Sequence, residues 1–504
     1  MPNNEYGDFQ TPIELARQVI ALLPRTEWTS ILEPACGTGT FLKAAAEAFP
    51  DARRYGVELQ PEYALGARAY GEIVVADALQ IDFAGAFDWP SDGKLLVIGN
   101  PPWVTSADLT GFASANRPTL SNIRGLRGIE AMTGASNFDI AEAIILRLIA
   151  TLGHLSPTIV LLCKTQVARN LLTYAAQFSL PISGVRLYGI DSKKWFGAGA
   201  DACLLTFSVG TAATGYSADV YADLGTEHLV TRIGVVGDRL VSNLDAYERT
   251  RAADGVSPVT WWQGIKHDAT QVMELVERDG PHTKSGVVVD VEAEYVYPLA
   301  KSTDVFRGTA ASPRKWMLVP QQHTGDDTRI LERTAPRLWA YLTDNGDALD
   351  GRRSSIYRGR PRFSIFGVGP YSFAPYKVAI SAMHKRPVFR LVGPQHGRPV
   401  MFDDVCYFTP FEDVAPAALV TALLESAAAT ALLGSLSFVD AKRPVTKKLL
   451  QRLDLAVLAT ECSSDQLVAR AAQLCGEVGE RRSRDELAVS LDVLLDSWGR
   501  DSST

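Results

Sequence analysis

The chain has 504 residues, 46% hydrophobic and 21% charged, a balance that excludes a disordered polyelectrolyte and a disulfide-stapled miniature. A net charge of −7 excludes a globally basic nucleic-acid coat, so any nucleic-acid surface has to be local. At about 150 residues per domain, the length predicts two or three domains.

Pro12–Leu23 has helical apolar spacing, with Thr11 as the expected N-cap. Ser30-Ile31-Leu32 reads as a strand that runs into a Gly-rich turn, and Thr40–Phe49 as an alanine-rich helix. Arg54–Leu59 is a second strand with Glu58 near its end. Ile73–Val75 is a third, leading to Asp77, and Lys94–Gly99 a fourth, ending at Asn100. Ala141–Leu152 carries Glu142 and Arg147 and is too short to span a bilayer, so a buried helix is expected. The strands Thr158–Cys163, Gly184–Tyr188 and Ala202–Val209 follow. Strands alternating with helices predict a doubly wound, Rossmann-like α/β domain over 1–210. The chemistry of such a sheet lies at the carboxyl ends of its strands.

Small polar residues over Thr211–Asp223 read as a linker. The segment 211–458 lacks the βαβ rhythm and is expected to form a mixed α+β domain, followed by a helical segment over 459–504 with apolar spacing at Leu467, Ala471, Leu474 and Val478. The six cysteines are scattered with no C-x-x-C pair, which argues against a disulfide framework and for a reducing cytosol. No metal is expected. The polar N-terminus has no basic segment leading into an apolar one, so no leader peptide is expected.

The turn Glu33-Pro34-Ala35-Cys36-Gly37-Thr38-Gly39-Thr40-Phe41 allows close approach of a ligand to the backbone. It lacks the Lys-Ser/Thr of a phosphate loop. Glu58, at the next strand end, can accept from ribose hydroxyls. Asp77, at the one after, can accept from an adenine amine. Together they describe an adenosyl pocket without a phosphate cradle. Asn100-Pro101-Pro102-Trp103 ends the fourth strand. The prolines fix the Pro101 carbonyl, so that carbonyl and the Asn100 side-chain oxygen can both accept from one amine, with Trp103 against the ring that bears it.

This combination resembles the amino-methylating DNA methyltransferases, and among them the TaqI-like adenine-N6 enzymes of restriction–modification systems in the gamma order, with cofactor motifs first and recognition domain last. Phe9-Gln10-Thr11-Pro12 resembles that family's most N-terminal motif. Ser136-Asn137-Phe138-Asp139-Ile140 resembles a further cofactor-side motif, and Lys194-Trp195-Phe196-Gly197 the segment that supplies a second aromatic wall. Trp103 departs from the family's usual Tyr or Phe but keeps a π-face. The resemblance implies S-adenosyl-L-methionine as cofactor, held by Thr11, Glu33, Ala35, Gly37, Gly39, Glu58, Asp77 and Ala78. It implies catalysis by Asn100, Pro101, Pro102 and Trp103, with Phe196 as the second wall and Trp195 as its alternative.

It extends more loosely over 255–455, through Gln263–Asp268, Ser354–Phe363 and Ala441–Pro444. There Arg352, Arg353, Arg358, Arg360 and Arg362 interleave with aromatics, a pattern suited to phosphates and guanine edges. Alternation predicts Arg358, Arg360 and Arg362 on one face of a strand. With Arg353 and Lys266 they are the expected DNA-binding residues. His384-Lys385-Arg386 and Lys442-Arg443 are expected to be surface charge.

The implied reaction is methylation of adenine N6 in a short duplex sequence, with the base flipped out of the stack because N6 lies inside the duplex. Double-stranded DNA is the expected partner, a separate cognate restriction endonuclease a further one, and the prokaryotic cytoplasm the expected location. Cytosine-N4 enzymes share the amine chemistry, but Ser or Asp more often leads their tetrapeptide. Protein-glutamine and RNA methylases also carry Asn-Pro-Pro but usually lack a second domain of this size. A non-catalytic specificity subunit is the alternative from another class, and intact Asn100, Glu58 and Asp77 argue against it. No fused nuclease is expected, since the motifs begin at Phe9 and no P-D…E-x-K set follows.

Overall fold

The computed structural model describes residues 10–24, 26–90, 93–104, 139–210, 215–276, 281–310, 313–438, 441 and 443–501. Phe9, Ser136–Phe138 and Lys442 therefore lie outside the described residues. The chain divides into two compact units, Met1–Leu244 and Asp245–Thr504.

The first unit is built on a ten-stranded sheet. Its first five strands are β1 Ser30–Glu33, β2 Arg53–Glu58, β3 Glu72–Val75, β4 Leu95–Gly99 and β5 Thr158–Lys164. They run parallel in the order β3-β2-β1-β4-β5. All residues of β1 and β4 are buried, as expected of parallel strands covered on both faces, whose sequences read as apolar runs without alternation. β6 (Ile182–Ile190) and β7 (Ala202–Val209) complete the core, with β7 antiparallel between β5 and β6.

The chain passes from β1 to β2 and β3 on one flank, then crosses to β4 on the other. The strand order therefore reverses at β1/β4, the place where sheets of this kind bind ligands, outside the carboxyl ends of the strands. Helices α1 (Ile13–Ala21) and α2 (Thr40–Ala48) pack on each other. With Leu15, Val19, Phe41 and Ala45 they form one core with Ile31, Leu96, Ile98, Val160 and Leu204 of the sheet. Helix α3 is Pro61–Ala67, α4 Ile140–Leu152, α5 Thr165–Phe178 and α6 Ser192–Phe196. Among the described residues no single helix is long and apolar enough to cross a membrane. In α4 even Glu142 and Arg147 are buried.

The sequence ends the first domain at residue 210, but the sheet continues through β8 (Ser217–Tyr221), β9 (Leu229–Val236) and β10 (Arg239–Val241). The supposed linker thus contains a strand. Only Ala218 of β8 is buried, so it needs little apolar sequence and reads as loop.

The second unit holds two four-stranded sheets. One is ordered β11 (Trp262–Gln263), β18 (Cys406–Phe411), β15 (Tyr376–Ser381), β16 (Phe389–Val392). The other is β12 (Glu274–Leu275), β14 (Lys315–Leu318), β13 (Val296–Ala300), β17 (Met401–Phe402). Helix α7 (Val414–Leu424) packs on β15, β16 and β18 and also on α8 (Ser464–Glu477) and α9 (Arg484–Asp501). The described part of the expected helical segment, 459–501, therefore belongs to this unit's fold, with Leu467, Ala471 and Leu474 buried.

Candidate active site

The ends of β3, β2, β1 and β4 bring the first group of expected site residues to one edge. After β1 the chain turns through Gly37 at φ +53° and Gly39 at φ +83°, conformations that favour glycine. A Cβ at Gly37 would lie 3.0 Å from Gln10 Nε2, and one at Gly39 3.0 Å from Ala67 Cα. Buried Glu58 ties this turn to the end of β2. Its Oε2 accepts from the Gly37 N–H and its Oε1 from the Gln60 N–H, each at 2.8 Å.

Glu33 is buried as well and accepts from the Leu42 N–H in the first turn of α2 at 3.2 Å. Burial pushes its carboxyl well above the usual carboxylate range; the Leu42 N–H opposes this and the Glu58 charge adds to it. Cys36 is buried between them, and burial and the two carboxylates raise its thiol far out of the nucleophilic range. Ala35 follows the strand, and Ala78 is buried beside Asp77. Asp77 closes a turn: its Oδ1 accepts from the Leu79 N–H at 2.8 Å and its Oδ2 from Gln80 Nε2 at 3.0 Å. Buried Arg147 reaches the same turn by donating to the Ile81 carbonyl, with Asp77 and Asp82 supplying opposite charge.

Thr11 departs from expectation. The N-cap position of α1 is Pro12, with no side-chain cap bond, and the Thr11 hydroxyl instead accepts from Asn100 Nδ2 at 3.2 Å. The N-terminal motif thereby holds one end of the Asn100 amide. Pro101 is buried, Pro102 half-buried and Trp103 buried. Phe196, the last residue of α6, meets Trp103 edge to face, with centroids 5.1 Å apart at 73°. Two rings gripping one base lie parallel on its opposite faces, so gripping requires one of these rings to turn. Trp195 and Phe196 are both half-buried against the same α/β core, so Trp195 is no more enclosed than its neighbour. Lys194 Nζ lies 4.7 Å from the centre of the Trp195 ring.

Beside the tetrapeptide stand Asp139, from the Ser136–Ile140 motif, and Glu142 and Lys164, which belong to no motif. The Ile140 N–H donates to the Val104 carbonyl at 3.1 Å, which brings Asp139 back to the end of β4. Asp139 caps α4 through the Ala141 N–H at 3.1 Å and pairs with Lys164 Nζ at 2.8 Å. One turn on, Glu142 accepts from Asn170 Nδ2 at 2.8 Å. Its carboxyl is pushed up to about 6, chiefly by burial, with the Asn170 bond opposing and the Asp139 charge adding. An acid whose folded pKa exceeds its ordinary 4.5 keeps its proton longer in the folded state. It therefore costs stability as pH rises through that window. Glu142→Gln keeps the acceptor and is expected to flatten the pH dependence of Tm there and to stabilise the protein at neutral pH by about 2 kcal/mol. Thermal melts across the window check this, and parallel profiles for the two proteins would refute it.

In the second unit the arginine segment is not a strand. Ser355–Tyr357 is a short 3-10 turn, Gly359 has φ +69° and Pro361 interrupts the alternation. Arg353, Arg358 and Arg360 are exposed, and the Arg360 guanidinium lies 5.8 Å from the Phe366 ring. Arg362 pairs with Asp350 at 2.9 Å and Lys266 with Asp268 at 2.7 Å. Arg352 points inward. It donates to the carbonyls of Leu349, His267 and Ser364 and stacks 3.8 Å from the Tyr357 ring, so it pins the loop that carries the exposed arginines. Arg443 pairs with Asp404 at 3.8 Å, and His384 stacks on Phe306.

No protein-family model matches the chain. Over 468 residues it is 37% identical to the Type II methyltransferase M.NspV of Nostoc sp., an alignment that covers 90% of this chain and 97% of that protein. It is also 39% identical over 98 residues to the Type II methyltransferase M.TthHB8I of Thermus thermophilus, which covers 19% of this chain and 21% of that one. In fold it is similar to the Type IIL restriction–modification enzyme MmeI, whose structure was solved in complex with DNA. The TM-score is 0.54 at 11% identity, covering 97% of this chain and 74% of that one. With 37% identity along nearly the whole of both proteins, the chain belongs to the Type II methyltransferases of restriction–modification systems.

Proposed function

We propose that the protein methylates the exocyclic N6 of adenine within a short sequence of double-stranded DNA, using S-adenosyl-L-methionine. The observation that carries this reading is the run of Asp77, Glu58, the Gly37–Gly39 turn and Asn100 along adjacent strand ends, with Thr11 bonded to Asn100. These residues fit that cofactor. A glycine turn that leaves the backbone open to close approach beside Gln10, with the Glu58 carboxylate bonded to it, suits a nucleoside bearing a positive charge. When bound, the cofactor supplies an electrophilic methyl group on its sulfonium.

The Asn100 side-chain oxygen and the Pro101 carbonyl accept from the two amine hydrogens of the target base. Holding both from one side favours a pyramidal nitrogen with its lone pair out of the ring. Trp103 and Phe196 grip the faces of the flipped base once one ring turns. Catalysis is then positioning and electrostatics, consistent with buried thiols that are held protonated. In this reading Arg353, Arg358 and Arg360 form the DNA-facing surface of the second unit, while the partners of Arg362 and Lys266 must be displaced before those two can contact DNA. The enzyme acts in the prokaryotic cytoplasm, beside a separate cognate endonuclease.

Methylation of genomic DNA with tritiated cofactor, followed by nucleoside digestion, tests the assignment. Label is expected in N6-methyladenine. Label in N4-methylcytosine or in protein would overturn it.

A further inference from the structure

We infer that Lys164 is a substrate-binding residue whose ammonium meets a backbone phosphate of the nucleotide entering the site; this rests on the DNA reading above. Lys164 is the last residue of β5. Gly99 of β4 pairs with Leu161 of β5, and Lys164 pairs with Ala202 at the start of β7. Along the carboxyl edge of the sheet it therefore stands between the strand that leads into Asn100–Trp103 and the strands flanking α6, which ends at Phe196. A base held by Trp103 and Phe196 would carry its sugar and phosphates past this position.

The ammonium is fixed there. Asp139 accepts from it at 2.8 Å, and that carboxylate is in turn pinned by the Ala141 N–H at the start of α4. The Lys164 side chain is 26% exposed and that of Asp139 10%, so the cation is tethered but reachable. An ammonium has three donors and Asp139 uses one. The pairing also removes part of the rotamer entropy that a loose lysine would lose on contact.

The sign of the surroundings makes such a cation useful. Glu58 and Asp77 end neighbouring turns at this edge and Asp139 sits against Lys164 itself, carboxylates that suit a cationic cofactor and repel a polyanion. A fixed local cation offsets that repulsion where a phosphate has to approach. Lys193 and Lys194 on α6 are exposed, and Lys194 lies over the Trp195 ring.

The test compares wild type, Lys164→Ala, Lys164→Gln and Lys164→Arg on a duplex carrying the target site, with KM for DNA measured against salt concentration. The Ala and Gln variants are expected to raise KM about three- to tenfold and to make the slope of log KM against log salt shallower by about one. Cofactor Kd should not change, and Arg should restore the slope. Gln is one atom shorter than Lys but keeps an uncharged N–H donor on a flexible chain, so it guards against a folding defect in the Ala variant. A wild-type slope in both neutral variants would overturn the inference, as would weakened cofactor binding at an unchanged slope. A wild-type protein that does not methylate DNA would instead defeat the reading on which the inference rests.

Discussion

Asn100→Ala is expected to lower the rate of methyl transfer by at least ~10²-fold, the usual consequence of removing one preorganised polar partner from a reacting centre. The adenine amine is a weak nucleophile because its lone pair is shared with the ring, and in the proposed mechanism Asn100 and the Pro101 carbonyl draw that lone pair out. Proline on both sides of the Pro101 carbonyl makes one acceptor rigid, and the bond from Asn100 Nδ2 to Thr11 holds the other. Thr11→Val removes only that restraint, so its effect should be smaller, with kcat lowered more than KM is raised. Neither substitution touches Glu58 or the Gly37 turn, so cofactor affinity measured by calorimetry should barely change. Single-turnover rates separate chemistry from product release. A near-wild-type single-turnover rate for Asn100→Ala would remove the tetrapeptide from the chemistry.

How much of this site is legible in the sequence follows from where its parts lie. Glu58 ends β2, Asn100 follows β4 and Asp77 lies two residues past β3, and a parallel sheet delivers such residues to one edge whatever lies between them. The glycines at 37 and 39 are legible because the turn needs positive φ. Thr11 is misread because Ser and Thr before a helix are ordinary caps. Its bond to Asn100, 89 residues away, leaves no local trace. The pair Asp139–Lys164 is hidden for the same reason: Asp139 falls in the Ser136–Ile140 motif, but Lys164, 25 residues further on, belongs to none. The arginine segment shows the opposite failure. Alternating residues suggested a strand, while Gly359 and Pro361 already marked a turn, and in a turn neighbouring arginines take different environments. Arg352 goes inward, Arg362 pairs with Asp350, and Arg358 and Arg360 face outward.

Glu58→Ala is expected to weaken cofactor binding by about 1–3 kcal/mol, roughly 5- to 150-fold in Kd. Two losses add. The proposed acceptor for the ribose hydroxyls disappears, and the N–H groups of Gly37 and Gln60 lose the carboxylate that now aligns them. The second loss loosens the turn that would lie against the cofactor, so the substitution acts on the pocket's shape as well as its chemistry. Glu58→Gln separates the two. It keeps one carbonyl oxygen for one of the N–H groups and sets an amide N–H against the other, so it should preserve Tm better than Ala while still impairing affinity. Asp77→Ala is the comparison at the far side of the pocket. Asp77 aligns only its own turn through Leu79 and Gln80, so its loss should cost affinity without reaching the Gly37 turn. The expected order of Kd is therefore wild type below Asp77→Ala, with Glu58→Ala weakest. A folded Glu58→Ala protein that binds S-adenosyl-L-methionine as tightly as wild type would show that the ligand lies elsewhere and that Glu58 serves only to brace β2 against the turn.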